Sequence, residues 1–147
     1  MAVSLKSVFL VSIQFLCLAA LILTGSAIVS ATGALVLEIA SVVFGIWTVY
    51  YVKRIGKLNV FPELRAGARL IYRGPYTWIR HPMYLAVILF GLSLLLDHFS
   101  WLRSGIWIIL TGDLLLKIRY EEGMILKQFP EYGAYIKTTK KLIPFIF

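Results

Sequence analysis

An apolar run of 45 residues, from Val8 to Val52, limits what this chain can fold into more than any other feature. The run contains one charged residue, Glu38. Because a helix needs about 20 apolar residues to cross a bilayer, the run is long enough for two spanning helices. Thr, Ser and Gly cluster between Gly25 and Gly33, which predicts the turn there. We expect spanning helices at about residues 8–30 and 33–52.

A second apolar stretch runs from Met83 to Leu116 and is interrupted by Asp97, His98 and Arg103. This pattern predicts two further helices, at about residues 83–97 and 104–119, joined by a short turn in water. The last helix should continue past the membrane and end before Pro130. The sequence therefore predicts one all-α membrane domain of about four helices, covering residues 1–147.

Composition supports lipid as the solvent. Of the 147 residues, 60% are hydrophobic, whereas soluble domains have roughly 45–50%. A chain this short cannot bury such an excess in a water-soluble core, because its surface is large relative to its volume.

The segment between the two hairpins has a different character. Seven basic residues fall within residues 53–80, mixed with aromatic and aliphatic side chains. Such a segment is too charged to cross the bilayer, and we expect it to lie on the membrane surface, broken at Pro62 and at Gly74-Pro75.

The distribution of charge predicts the orientation. The chain has 15 Lys and Arg against 7 Asp and Glu. With four helices, all the basic residues except Arg103 fall on one side, which should be cytosolic together with both termini. The membrane would be the inner membrane of a bacterium or the endoplasmic reticulum of a eukaryote. Retention beside a membrane explains the basic balance, so we expect no nucleic-acid partner.

Metal-binding patterns are absent from the sequence. Cys17 is the only cysteine, and the two histidines, His81 and His98, lie far from any metal-ligand spacing. We expect no metal.

The first candidate site lies at residues 74–84. Gly74-Pro75 predicts a turn, and Pro82 suits the first position of a helix. The free N–H groups of such a helix start, with Arg80 adjacent, favour an anion such as a carboxylate or phosphate. An equally good interpretation is a simple helix start whose Tyr and Trp residues anchor it at the membrane boundary.

The second candidate site is a charged series, Asp113, Lys117 and Glu121, at intervals of four residues. Helical periodicity places the three on one face, about 6 Å apart. They can be ordinary surface ion pairs, but Asp113 should lie near hydrocarbon, where ionisable groups usually have a function. An anion site close to carboxylates suits a zwitterionic ligand.

At these residues the sequence resembles the isoprenylcysteine carboxyl methyltransferase and phospholipid methyltransferase group. The resemblance rests on Arg80-His81-Pro82-Met83-Tyr84 after Gly74-Pro75-Tyr76, and on Glu121-Glu122 about forty residues later. Phe129, Tyr132 and Tyr135 are similar to the C-terminal pattern of the group.

The resemblance implies methyl transfer from S-adenosylmethionine to a lipid-borne or small hydrophobic acceptor at the cytosolic face. It assigns Glu121 and Glu122 to the ammonium of the cofactor, and Lys117 and Arg119 to the acceptor. Tyr84 takes part in both cofactor binding and the reaction. The other cofactor residues that it implies are Tyr76, Arg80, His81, Pro82 and Leu85.

The acceptor itself stays open between a prenylcysteine-type carboxylate and a phospholipid amine. Lys117 stands where the prenylcysteine enzymes tend to have an arginine, and lysine does not bind a carboxylate bidentately. Two other functions are consistent with the sequence, namely a sterol-reductase-like membrane enzyme and a helical scaffold without activity.

Overall fold

The fold is all-α in a computed structural model that describes residues 4–55, 70–144 and 146. Its helices are α1 (Leu5–Leu23), α2 (Thr32–Ile55), α3 (Pro82–Asp97), α4 (Trp101–Gln128) and α5 (Tyr132–Thr138), with a 3-10 helix at Gly74–Thr77. The predicted helical class is therefore confirmed over these ranges. The predicted break at Pro62, and most of the predicted surface segment, lie outside the described residues.

The end of α1 and the start of α4 both differ from the expected helix boundaries. α1 ends at Leu23, well before residue 30, because Thr24 to Ala31 form the turn. α4 begins at Trp101, since Ser100 caps it by accepting a hydrogen bond from the N–H of Arg103 at 3.2 Å. It then runs for 28 residues and ends two residues before Pro130.

The bundle is built from two helix pairs. α2 packs chiefly against α3, and α1 packs chiefly against α4. Contacts of α3 with α4 and with α1 join the pairs around a core of fully buried apolar side chains, which include Leu21, Leu94, Leu110, Leu114 and Ile118.

Among the described residues, α1 and α2 are long and apolar enough to cross a membrane. Only 22% of the most apolar 18-residue stretch of each helix is buried inside the protein. Large apolar side chains such as Phe9, Leu16 and Ile46 are exposed, which is unfavourable in water and favourable in lipid. α3 is apolar but shorter, with 16 residues, and α4 carries charged residues along its length.

The side chain of Arg103 connects the helices at the end of the bundle where α1 and α3 terminate. Arg103 is 3% exposed and donates to the carbonyl oxygens of Leu21 at 2.8 Å and Leu94 at 2.6 Å. Both carbonyls lie in the last turn of their helices, where intrahelical partners run out; that of Leu94 also accepts from the N–H of His98 at 3.5 Å. The expected watery turn is therefore wrong for Arg103, which lies in the first turn of α4 and joins the ends of two other helices.

Two carboxylates accept hydrogen bonds from backbone N–H groups in the turn between α1 and α2. Oδ1 of Asp97 accepts hydrogen bonds from the N–H groups of Ser30 and Ala31, both at 2.8 Å, just before α2 begins. Glu38, an isolated carboxylate in the sequence, accepts from the N–H of Val29 at 3.1 Å. A structural role therefore accounts for both carboxylates.

Candidate functional site

The opposite end of the bundle holds most of the predicted site residues, and a short backbone pairing organises it. The N–H of Arg80 donates to the carbonyl of Lys140 at 2.8 Å, and the N–H of His81 donates to that of Lys141 at 3.0 Å. Ile79 and Lys140 form a parallel bridge. The chain after α5 is therefore attached directly to the segment before α3.

Gly74 begins the turn that leads into this segment. Its φ is +63°, a left-handed conformation that favours glycine. A Cβ at this position would lie 2.5 Å from Cε2 of Tyr51 on α2. The 3-10 helix can therefore pack closely against α2, and Pro82 follows as the first, fully buried residue of α3.

Arg80 makes its contacts inside the protein. Its side chain is buried, with Nε 2.6 Å from Oε1 of Glu122 and Nη1 donating to the carbonyl of Thr139. We expected Arg80 to assist an anion at the start of α3. That role stays a prediction; in the structure the guanidinium connects α4 to the chain after α5.

His81 lies between the two adjacent carboxylates of α4. Its Nε2 is 3.3 Å from Oε1 of Glu122, and its Nδ1 is 3.6 Å from Oε2 of Glu121. The imidazole also stacks on the ring of Tyr84, with centroids 5.7 Å apart and planes within 5°. His81 thus connects the start of α3 with both glutamates.

Glu121 and Glu122 have opposite electrostatic environments. Burial raises the pKa of the Glu122 carboxyl, but hydrogen bonds from His81 and Arg80 outweigh this and hold it at about 2. For Glu121, burial dominates over His81 and Tyr84, and its pKa is raised. The ionised form of Glu122 is therefore stabilised by its partners, whereas burial disfavours the ionised form of Glu121.

Tyr84 is the centre of the site. Its hydroxyl donates to Oε1 of Glu121, and Nζ of Lys117 lies 5.1 Å from the centroid of its ring. Leu85 follows in the same turn of α3, and its N–H donates to the carbonyl of His81 at 3.2 Å. The residues of the predicted motif and of α4 therefore meet around one tyrosine.

Two tyrosines of α5, Tyr132 and Tyr135, lie on the other side of the site. The Tyr135 hydroxyl donates to the carbonyl of Tyr76, and Tyr132 is 3% exposed. Burial raises the pKa of Tyr76, Tyr132 and Tyr135. Their hydroxyls thus remain neutral donors, and Tyr76 lies within electrostatic range of Glu121.

Lys117 and Arg119, the two predicted acceptor residues, do not lie together. Lys117 is 1% exposed and donates to Oε1 of Gln14 on α1 at 2.6 Å. Arg119 is exposed, because residues two apart on a helix point to opposite sides. The structure brings Lys117 into the cluster and leaves Arg119 outside it.

Gln14 was missed by the sequence analysis. It is the only amide side chain in the apolar run from Val8 to Val52. A hydrogen-bonding group within a spanning helix usually has a partner on another helix, and this signal was sufficient to find it.

Comparison with known proteins supplies the family. A model of the isoprenylcysteine carboxyl methyltransferase family matches residues 31–127, about two thirds of the chain. The chain belongs to this family. The matched range contains His81, Tyr84, Lys117, Glu121 and Glu122. A search of curated proteins gave no match.

Membership of the isoprenylcysteine carboxyl methyltransferase family makes this chain a methyltransferase of membranes, in agreement with the apolar faces of α1 and α2. The match ends at residue 127, before Tyr132 and Tyr135. The pairing of the C-terminal segment with residues 78–81 therefore comes from the structure of this chain alone.

Proposed function

We propose that this chain transfers a methyl group from S-adenosylmethionine to a lipid-borne or small hydrophobic acceptor at the cytosolic face of its membrane. The observation that carries the proposal is the state of Glu121. This carboxylate accepts a hydrogen bond from the Tyr84 hydroxyl and has its Oε2 3.6 Å from Nδ1 of His81. Burial raises its pKa in spite of these two partners. A ligand ammonium would complete its environment.

The residues around Glu121 fit the amino-acid end of the cofactor. Its side chain is 18% exposed, against 11% for Glu122, so a ligand can reach it. Since Arg80 and His81 already occupy Glu122, we assign the ammonium to Glu121 and a positioning role to Glu122. The helix start at Pro82 offers its positive dipole end to the ligand carboxylate.

S-adenosylmethionine, when bound, supplies an electrophilic methyl group on a sulfonium. The protein contributes alignment and the exclusion of water. The Tyr84 ring lies between Glu121 and Lys117, where an aromatic face favours a cation. The buried Lys117 is oriented by Gln14 and would face the acceptor.

An apolar groove supports the assignment of a lipid acceptor. It has a volume of about 220 Å³ and lies between α1, α2 and α3, lined by residues that include Leu18, Gly45 and Phe90. Its lining extends along α3 to Met83, two residues after His81. A hydrocarbon chain in this groove would bring its polar head to the site from within the bilayer.

The test is calorimetric titration of S-adenosylmethionine and S-adenosylhomocysteine into the detergent-purified protein. We expect saturable binding that weakens at least tenfold in Glu121→Gln and in His81→Ala. Glu131→Gln removes an exposed carboxylate and should bind normally. Absence of binding by the folded wild type would refute the proposal and favour a reductase or a scaffold, which titration with a reduced nicotinamide cofactor would separate.

A further inference from the structure

The proposed function leaves one buried ionisable group unexplained. Asp113 is 3% exposed, and neither of its carboxylate oxygens has a hydrogen-bond partner among the residues that the structure describes. Burying a polar group without a partner costs free energy, and a carboxylate costs more than a neutral group. A folded protein retains such a residue at a cost in stability, which is typical of a binding site.

Asp113 lies on the same face of α4 as the site. It is one helical turn from Lys117 and two turns from Glu121, which corresponds to about 6 and 12 Å along the axis. Tyr84 on α3 and Cys17 on α1 lie within its electrostatic range. The carboxylate therefore continues the proposed site toward the middle of the bundle.

Among residues 4–55, 70–144 and 146, the neighbours of Asp113 do not supply the missing donors. Lys117, the nearest cation on this face, directs its Nζ to Gln14 at 2.6 Å and toward the ring of Tyr84. A cysteine thiol is a weak donor. The two oxygens of Asp113 are thus free to accept hydrogen bonds from a bound group.

The chemistry of the two candidate acceptors differs at this point. A carboxylate only accepts hydrogen bonds, so it would leave Asp113 without donors and would bring a second negative charge close to it. A protonated amine supplies both hydrogen atoms and an opposite charge.

We propose that Asp113 binds the amine head of the lipid-borne acceptor, which makes an amine, and not a carboxylate, the group that this enzyme methylates. This inference rests on the proposed function. Asp113 would also accept a proton from the ammonium form. The N–H bond breaks, its electron pair stays on nitrogen, and the proton forms an O–H bond on Asp113, which leaves a nucleophilic amine.

The experiment measures thermal unfolding of the full chain in nonionic detergent with dodecylamine or with dodecanoate as the probe. A ligand that binds the folded state raises the unfolding temperature. We expect dodecylamine to stabilise the wild type and Glu131→Gln, and to have no effect on Asp113→Asn. A second variant, Asp113→Leu, should be more stable than the wild type without ligand, and equally insensitive to the amine.

The outcomes separate the two proposals. Titration with S-adenosylmethionine should give the same affinity for Asp113→Asn as for the wild type. Stabilisation by dodecanoate alone, or by dodecylamine in Asp113→Asn as well, would overturn the role of Asp113. If the cofactor still bound in that case, the proposed methyltransferase function would stand. If the cofactor did not bind but the amine effect still required Asp113, the proposed function would fail and the amine site would stand.

Discussion

Nε of Arg80 lies 2.6 Å from Oε1 of Glu122, although the two residues are 42 positions apart in the chain. The same guanidinium reaches the carbonyl of Thr139, so three distant segments meet at one side chain. Both partners are mostly buried, with 5% and 11% of their side chains exposed. An ion pair with this geometry positions its neighbours, including His81, and this has consequences for stability.

We expect Glu122→Gln to destabilise the fold, by about 3–5 kcal/mol, because it leaves the Arg80 guanidinium buried without its counter-charge. Thermal unfolding in detergent measures this, with Glu131→Gln as the exposed control. Glu121→Gln, which removes a carboxylate that is not fully neutralised, should cost much less. Equal losses in Glu121→Gln and Glu122→Gln would contradict the division of roles between the two carboxylates.

Cofactor affinity should depend on pH through Glu121. Burial raises the pKa of this carboxyl above its usual value of 4.5, and only the ionised form holds an ammonium. The affinity for S-adenosylmethionine should therefore increase as the pH rises through the raised pKa and level off above it. Glu122, with a pKa of about 2, stays ionised and contributes nothing to this change.

Calorimetric titrations across this pH range provide the measurement, and Glu121→Gln should abolish the dependence. The same raised pKa affects folding with the opposite sign. The unfolded chain loses this proton first, so stability falls as the pH rises from about 4.5 through the folded pKa. A cofactor affinity that increased toward low pH would be incompatible with Glu121 as the ligand.

The end of the bundle that holds Arg103 should be sensitive to one mutation. Arg103→Met removes the guanidinium donors to the carbonyls of Leu21 and Leu94. We expect a loss of about 2–4 kcal/mol, since the carbonyl of Leu21 loses its side-chain donor and that of Leu94 keeps only the long bond from the N–H of His98. Cofactor affinity should be retained, because the site lies at the other end. Thermal unfolding and calorimetry of the same preparation measure both quantities.

A paired control exists at Gly25. A Cβ there would lie 2.6 Å from Nη1 of Arg103, so Gly25→Ala should displace the guanidinium and destabilise the wild type. In the Arg103→Met background the additional loss should be smaller. Simple additivity of the two losses would show that they do not act through one contact.

The two predicted acceptor residues, Lys117 and Arg119, should behave differently. Lys117 is buried beside Tyr84 and Gln14, whereas Arg119 is exposed. We expect Lys117→Met to reduce label transfer to any lipid acceptor at least tenfold, and Arg119→Met to reduce it less than twofold. Transfer of a labelled methyl group in lipid nanodiscs is the measurement. The reverse order would show that the acceptor binds on the outer face of α4.

Much of the site was predictable because local rules determine it. Pro82 fixes the start of α3, and the spacing of Asp113, Lys117 and Glu121 fixes a common face of α4. The resemblance connected these residues with one function. Periodicity also implies that Lys117 and Arg119 point in different directions, so the sequence already contained the reason to separate them.

Arg80 and Arg103 show what local rules cannot give. Arg103 was expected near solvent and Arg80 beside a bound anion. In the structure both donate to backbone carbonyls of other segments, and each is at most 7% exposed. Which carbonyl an arginine reaches depends on how helices pack, and no short-range pattern encodes it. The unequal states of Glu121 and Glu122 likewise arise from partners far away in the chain.

The sequence by itself determined that this chain has apolar helices in a membrane, where its charged motifs start and end, and which residues share a helix face. These features follow from hydrophobic runs, proline geometry and the period of the α-helix, all of which act over a few residues. Only the tertiary structure decided that the ionised form of Glu122 is stabilised, that burial disfavours the ionised form of Glu121, and that Asp113 is buried without a donor among the described residues. Those states depend on desolvation and on contacts between segments that are distant in sequence, and such contacts exist only after the helices have packed.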